Sequence, residues 1–318
     1  MASSVCGGTA RGNDVRFSLD WEALTIWYGR DTEVVPFRNV IAIIDAADET
    51  SGKTRHNILQ VCESKDSQVS RSNRCSFDSV LVTGLPDAFL KQHIASAKPP
   101  HLHIPFVEGV TPLRIVVSIR SGLGEANDFF INVVRPAFAA YGFENSSYHV
   151  HYTDSERSIT EFAEEVLLPC AQRGWEQTVL LLSGDGGIAD LVNTFQPAAI
   201  DSNGANPDFR KPTVGLVIMG SGNALANSTG INGDATRGLR HFFRGSPKEL
   251  PTFCAKFSKG SELVVDNGQR TEPLPYRYGD ENCVYGAVVC SWALHASLVA
   301  NSDTAEYRRH GVRRFQMA

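Results

Sequence analysis

Val179-Leu180-Leu181-Leu182-Ser183-Gly184-Asp185-Gly186-Gly187 is the stretch that decides the fold. Four consecutive apolar residues leave no polar face, so the run reads as a strand buried on both sides, as in parallel sheets. Glycines follow at once, which places Asp185 just past the carboxyl end of that strand. Open parallel α/β sheets bind their ligands there. Asp185 can accept a proton from a hydroxyl nucleophile, serve a metal-bound nucleotide, or cap the helix that follows.

The same strand–glycine–helix pattern occurs twice more. Upstream, the apolar run 113–119 leads into Ser121-Gly122-Leu123-Gly124 and a helical stretch over 125–141. Downstream, 213–219 leads into Gly220-Ser221-Gly222-Asn223 and the helix-like Ala224-Leu225-Ala226. Glycine lets backbone N–H groups approach a phosphate, and a helix N-terminus adds partial positive charge. Each loop taken alone also reads as a tight turn, and Asn223 as either a nucleotide contact or a cap. Three such loops at the same end of successive strands favour a nucleotide site. A strand at 148–152 and a helix at 155–170 complete the alternation. In that helix Ile159, Phe162, Val166 and Leu167 recur at spacings of three and four. The pattern predicts an α/β, doubly wound parallel-sheet nucleotide-binding domain over 108–232.

The flanks differ in texture. Residues 1–107 carry short alternating runs at 15–19, 24–28 and 40–44, expected to be strands, with polar loops at 48–57 and 64–76. Residues 233–318 hold a helical stretch at 235–243, strand-like runs at 262–265 and 284–290, and a last helical segment from near Ser302. That segment contains Arg308, Arg309, Arg313 and Arg314, which either clamp phosphate or form a solvated helix face.

The 318 residues are 42% hydrophobic and 20% charged with a formal net charge of -5, which gives no general attraction to nucleic acid. Seven scattered cysteines, without CxxC pairs, exclude a disulfide scaffold and a zinc-ligand spacing. The N-terminal MASSVCGGTARGND has no apolar signal region and no run of 18 apolar residues occurs. A cytoplasmic location with peripheral membrane association is expected. One rival phosphate loop, Ala47-Asp48-Glu49-Thr50-Ser51-Gly52-Lys53-Thr54, fits a relaxed P-loop pattern. It carries two carboxylates inside the cradle, and Arg55-His56-Asn57 starts a helix poorly.

The glycine loops, in this order, resemble the catalytic domain shared by diacylglycerol, ceramide and sphingosine kinases. Ser183-Gly184-Asp185-Gly186 is similar to the (S/G)GDG signature and Gly220–Ala226 to GSGNALA. Tyr307-Arg308-Arg309-His310-Gly311 with Arg313-Arg314-Phe315 resembles a sphingosine kinase stretch. The resemblance implies an ATP- and Mg²⁺-dependent lipid kinase acting on a sphingoid base, with diacylglycerol or ceramide as the alternative substrate. It implies ATP contacts from Arg120, Ser121, Gly122, Gly124, Thr153, Ser183, Gly184, Gly186, Gly220, Ser221, Gly222, Asn223, Arg309 and Arg314. Asp185 would be the general base, and Asp190, Asn301 and Asp303 would face the lipid. No metal ligand is assigned. The chain departs from the family at Ser118-Ile119, Leu123, Ile218 and Asn301, and is expected to stop at Ala318 inside a truncated β-sandwich lipid-binding domain. A nucleotide-binding fragment without turnover is the reading from another class.

Overall fold

The computed structural model describes residues 5–46, 54–64, 74–95, 98–103, 112–201, 206–231, 233–265, 270–274, 276–278, 281–310 and 313–317. They divide into two compact units. One comprises 1–103, 127–149 and 231–246, and the other 104–126, 150–230 and 247–318.

The first unit is built on seven antiparallel strands: β1 (Val5–Ala10), β2 (Asn13–Leu19), β3 (Ala23–Tyr28), β4 (Asp31–Pro36), β5 (Val40–Ala46), β6 (Arg55–Glu63) and β7 (Cys75–Thr83). Their order is β4-β3-β2-β1-β7-β6-β5. Alternation selects the inner face: Phe17, Leu24, Ile26, Ile43, Ile58, Val80 and Val82 form one core with Phe89 of helix α1 (Asp87–His93). Arg11 and Gly12, both at positive φ, make the two-residue turn that returns β1 onto β2. The polar loops expected at 48–57 and 64–76 are shorter than the sequence suggested. Arg55-His56-Asn57 opens β6 opposite Thr83, Val82 and Leu81, and Cys75-Ser76 opens β7. Long-range pairing holds these polar strand ends, which local propensity does not register. Residues 47–53, most of the rival phosphate loop, lie outside the described residues. The segment after it is a strand, whereas a P-loop requires a helix there.

Two helices carry an unexpected local feature. Helix α2 (126–140) widens into a π-helical turn at Phe130–Val134, and α3 (158–172) does so at Ala163–Leu167. Each widened turn ends just before a proline, Pro136 or Pro169. Proline has no N–H to donate and its ring clashes with the carbonyl four residues back, and a wider turn relieves both.

The second unit is built on β8 (Leu113–Val117), β9 (His149–Tyr152), β10 (Thr178–Ser183) and β11 (Thr213–Ile218), in the order β11-β10-β8-β9. β10 lies parallel to both β8 and β11, and β8 and β10 are buried along their whole length. The chain leaves β8 for β9 on one side and returns past it to β10. The point where the winding reverses therefore lies between β8 and β10. Ile159, Phe162 and Leu167 of α3 share a core with Val179 and Leu181 of β10. Ile188, Leu191 and Phe195 of α4 (Asp185–Asp201) join the same core.

Beyond the sheet come α5 (Ala224–Ser228) and α6 (Leu239–Arg244), the latter in the first unit. Five short strands follow: β12 (Phe253–Phe257), β13 (Glu262–Val265), β14 (Arg270–Pro273), β15 (Tyr276–Tyr278) and β16 (Glu281–Gly286). They form a β12-β16-β15 sheet and a β13–β14 hairpin. The last helical segment starts at Ala293 rather than near Ser302: α7 (Ala293–Ser302), then α8 (Ala305–Arg308) and α9 (Arg314–Met317). Residues of α7 are mostly exposed, so no periodic apolar face announces it.

Asn193 ties this region to α4. Its amide donates to the Tyr285 carbonyl at 2.8 Å and accepts the Tyr285 N–H at 2.9 Å, so the side chain takes the place of a neighbouring strand. Replacing Asn193 with Ala leaves both buried backbone groups of Tyr285 without this partner, at a cost of about 2–3 kcal/mol. Urea unfolding checks this; a loss below about 0.5 kcal/mol would show that water replaces the amide.

Candidate active site

The three glycine loops meet at the carboxyl ends of β8, β10 and β11. In the first, the Ser121 N–H donates to the Ser118 carbonyl and the Gly124 N–H to that of Ser121, two consecutive tight turns. Gly122 (φ 58°) and Gly124 (φ 77°) take conformations that a side chain disfavours. A methyl group on Gly122 would sit 2.1 Å from the Met219 carbonyl oxygen, so the first loop touches the end of β11 directly. The second and third loops meet as closely: a Cβ on Gly220 would lie 2.7 Å from Gly184 Cα. Hydroxyls complete the cluster. Ser121 Oγ donates to Ser118 Oγ at 2.8 Å and lies 3.3 Å from Ser183 Oγ.

Asp185 stands in the first turn of α4, yet it caps a different helix. Its carboxylate accepts the N–H groups of Ala224 (2.6 Å) and Leu225 (3.2 Å), the start of α5. Asn223 precedes that helix at φ 48° and donates its side-chain amide to the Gly220 carbonyl, closing the third loop on itself. Neither sequence reading of these two residues anticipated that exchange. Thr153 is buried; its hydroxyl accepts the Ile119 N–H at 3.2 Å, bracing the first loop from the end of β9. Arg120 and Gly186 are exposed at the rim, and Ser221 and Gly222 complete the third loop.

The remaining sequence candidates are distributed unevenly. Phe315, next to Arg314, reaches the cluster: its ring lies within 3.6 Å of where a Cβ on Gly222 would stand. Arg314 itself donates to Asp303. Arg309 is exposed and pairs with Glu306 at 3.7 Å, and Asn301 is exposed near the end of α7. Asp190, about one and a half helical turns past Asp185 on α4, is largely buried, and burial pushes its carboxyl group up to about 6. Asn193 and Phe315 were missed at the sequence level. An asparagine among Leu191, Val192 and Phe195 was the available signal, since a polar group on an apolar helix face needs a partner.

The site's fit to a nucleotide rests on close backbone approach. Side chains at Gly122, Gly184 or Gly220 would collide with a neighbouring loop, so backbone and not side chains forms the junction. Among the described residues no three His, Cys, Asp or Glu side chains gather into a metal cage. Mg²⁺ commonly binds through one or two carboxylates together with substrate phosphates, and Asp185 is the carboxylate that the loops bring to this point.

Residues 112–255, a little under half of the chain, match the family model of the diacylglycerol kinase catalytic domain. Two solved structures of a "putative diacylglycerol kinase" from Bacillus anthracis str. Sterne align with the chain at 15% identity. One alignment covers 47% of this chain and 44% of that chain with a TM-score of 0.34; the other covers 47% and 46% with a TM-score of 0.35. The chain thus spans less than half the length of these two proteins. No curated protein matches. Among the described residues no helix is long and apolar enough to cross a membrane.

Two outcomes test this geometry. Gly122→Ala should cost about 2 kcal/mol or more, because it combines a strained φ with a backbone clash. Gly186→Ala, with nothing within 4 Å of the new methyl, should be neutral or slightly stabilising in the same denaturant titration. For Asp190 the folded-state value lies above the unfolded one. The native chain therefore holds this proton more tightly between about pH 4 and 6, and stability falls as pH rises through that window, by up to ~3 kcal/mol. Asp190→Asn should flatten that part of the stability–pH profile, and an unchanged profile would contradict the buried carboxyl.

Proposed function

We propose that the chain is a lipid kinase that transfers a phosphoryl group from ATP to the primary hydroxyl of a sphingoid base. The observation that carries this reading is the convergence of three glycine loops around Asp185, at the point where the winding of the parallel sheet reverses. Bound Mg-ATP would supply the γ-phosphoryl group, with the metal offsetting its charge. Amides of Gly122, Leu123 and residues 220–222 would hold the phosphates, with the Ser121 hydroxyl, Ser183, Gly184 and Gly186 beside them and Thr153 fixing the first loop. Arg314 and Arg309 would add charge from the C-terminal helices, and Arg120 and Asn223 would complete the nucleotide contacts. Each Asp185 oxygen keeps a second lone pair after accepting its backbone N–H. One of these can take the proton of the attacking hydroxyl while α5 keeps the carboxylate in place.

One feature favours a cationic lipid. Asp190 lies about 7.5 Å along the helix from Asp185 and is a carboxyl group raised by burial alone. A lipid ammonium would stabilise its charged form. Asn301 offers a neutral contact at the end of α7. At the opposite end of that helix, Trp292 and Leu294 are 82% and 85% exposed, apolar surface suited to a peripheral membrane position. In this reading residues 1–107 form the β-rich N-terminal region, 108–232 the catalytic domain, and 233–318 a β-rich lipid-binding region. The description of the matched family model favours diacylglycerol as the alternative acceptor.

The test is transfer of labelled γ-phosphate from Mg-ATP to sphingosine, ceramide and diacylglycerol in detergent micelles, beside an Asp185→Asn variant. Label on sphingosine, reduced at least ~10²-fold in the variant, is the expected result. Label on diacylglycerol alone would replace the acceptor and leave the kinase. ATP binding without label on any lipid would leave a nucleotide-binding protein without turnover.

A further inference from the structure

The ion pair between Asp303 and Arg314 assigns these residues a joint task. Arg314 Nη1 donates to Asp303 Oδ1 at 2.5 Å; the arginine side chain is 12% exposed and the aspartate 44%. Arg314 Nε is buried and has no hydrogen-bond partner. The guanidinium lies 4.7 Å from the centroid of the Phe315 ring, and that ring abuts Gly222 of the third glycine loop. A guanidinium presents five donors in a rigid fork. Holding Nη1 on Asp303 leaves the Nε–Nη2 edge, the geometry that grips phosphate oxygens in pairs.

Asp303 is well placed for such a task. Its N–H donates to the Ala300 carbonyl at the end of α7, and the next residue, Thr304, caps α8 by accepting the Tyr307 N–H. Its backbone is therefore held from both sides. A carboxylate at the C-terminal end of the ten-residue α7 opposes the helix dipole, and the charge of Arg314 offsets that opposition. A carboxylate already engaged by an arginine is also a poor anchor for a lipid ammonium.

We propose that Asp303 is a positioning residue for the nucleotide: it orients Arg314 so that the free edge of the guanidinium faces the phosphates held at the third glycine loop. This rests on the reading of the loops as an ATP site. The experiment is calorimetric titration of a non-hydrolysable Mg-ATP analogue into the full chain and into Asp303→Asn, Asp303→Glu, Arg314→Ala and the Asp303→Asn/Arg314→Ala pair. Urea midpoints are recorded on the same samples.

Asp303→Asn should weaken the analogue roughly 3–10-fold and Arg314→Ala by at least as much. The double variant should be no weaker than Arg314→Ala alone, and Asp303→Glu should recover part of the loss. The urea midpoints, which a purely structural role would shift, should stay close to that of the wild type. Unchanged affinity in Asp303→Asn, or fully additive losses in the pair, would overturn the proposal while leaving the nucleotide site standing. A wild-type chain that binds no analogue would overturn both.

Discussion

Two backbone amides, those of Ala224 and Leu225, donate to the carboxylate of Asp185, and the candidate site depends on that contact. The parallel pairing of β10 with β11, continued by the Met219 N–H on the Ser183 carbonyl, sets the two loops side by side, and the aspartate fixes where the third loop turns into its helix. Helix α5, of only five residues, is too short to persist on its own merits. A charge-assisted bond to its first N–H groups is worth about 1.5–3 kcal/mol and sets where it begins. With α5 anchored, Gly220 can lie against Gly184, and Gly122 can reach the Met219 carbonyl. Each of these approaches is closer than a Cβ allows. The strand pairing brings the loops together, the glycines permit their close approach, and the aspartate fixes the start of α5.

The arrangement also accounts for an apparent mismatch between charge and proposed ligand. The chain is net acidic, and the three loops contain one basic residue, Arg120. A polyanion can still be held where oriented amide dipoles converge, since these carry partial positive charge and add nothing to the net charge. Arg314, whose neighbour Phe315 abuts the third loop, comes from elsewhere in the sequence and already shares its charge with Asp303. Recognition of this kind is specific to the shape of a phosphate chain and indifferent to bulk electrostatics.

Much of this was legible in the sequence, for local reasons. Val179–Leu182 announced a doubly buried strand, and each glycine loop followed its strand in the order that the sheet uses. Asp185 was correctly placed beyond β10. Its bonds to α5 were not legible, because they join residues 39 and 40 positions apart and no pattern within a single element encodes them. Asn193 and Tyr285, 92 positions apart, were hidden for the same reason. Arg55 and Cys75 were read as loop because polar strand ends look like loops until their partners are known. Helix α7 escaped because its residues bury no consistent face, so amphipathic periodicity had nothing to detect. The prolines at 136 and 169 were visible, but only packing shows that the helices pass through them by widening.

Helix α4 carries Asp185 in its first turn and Asn193 eight residues later, a rise of about 12 Å. The first turn of this rod grips the start of α5 and its middle grips β16, both through hydrogen bonds to backbone. Neither grip can shift without moving the other, so α4 acts as a lever. A change in the strands around Tyr285 of a fraction of an ångström would arrive at the glycine loops as a tilt, with no relay of side chains in between.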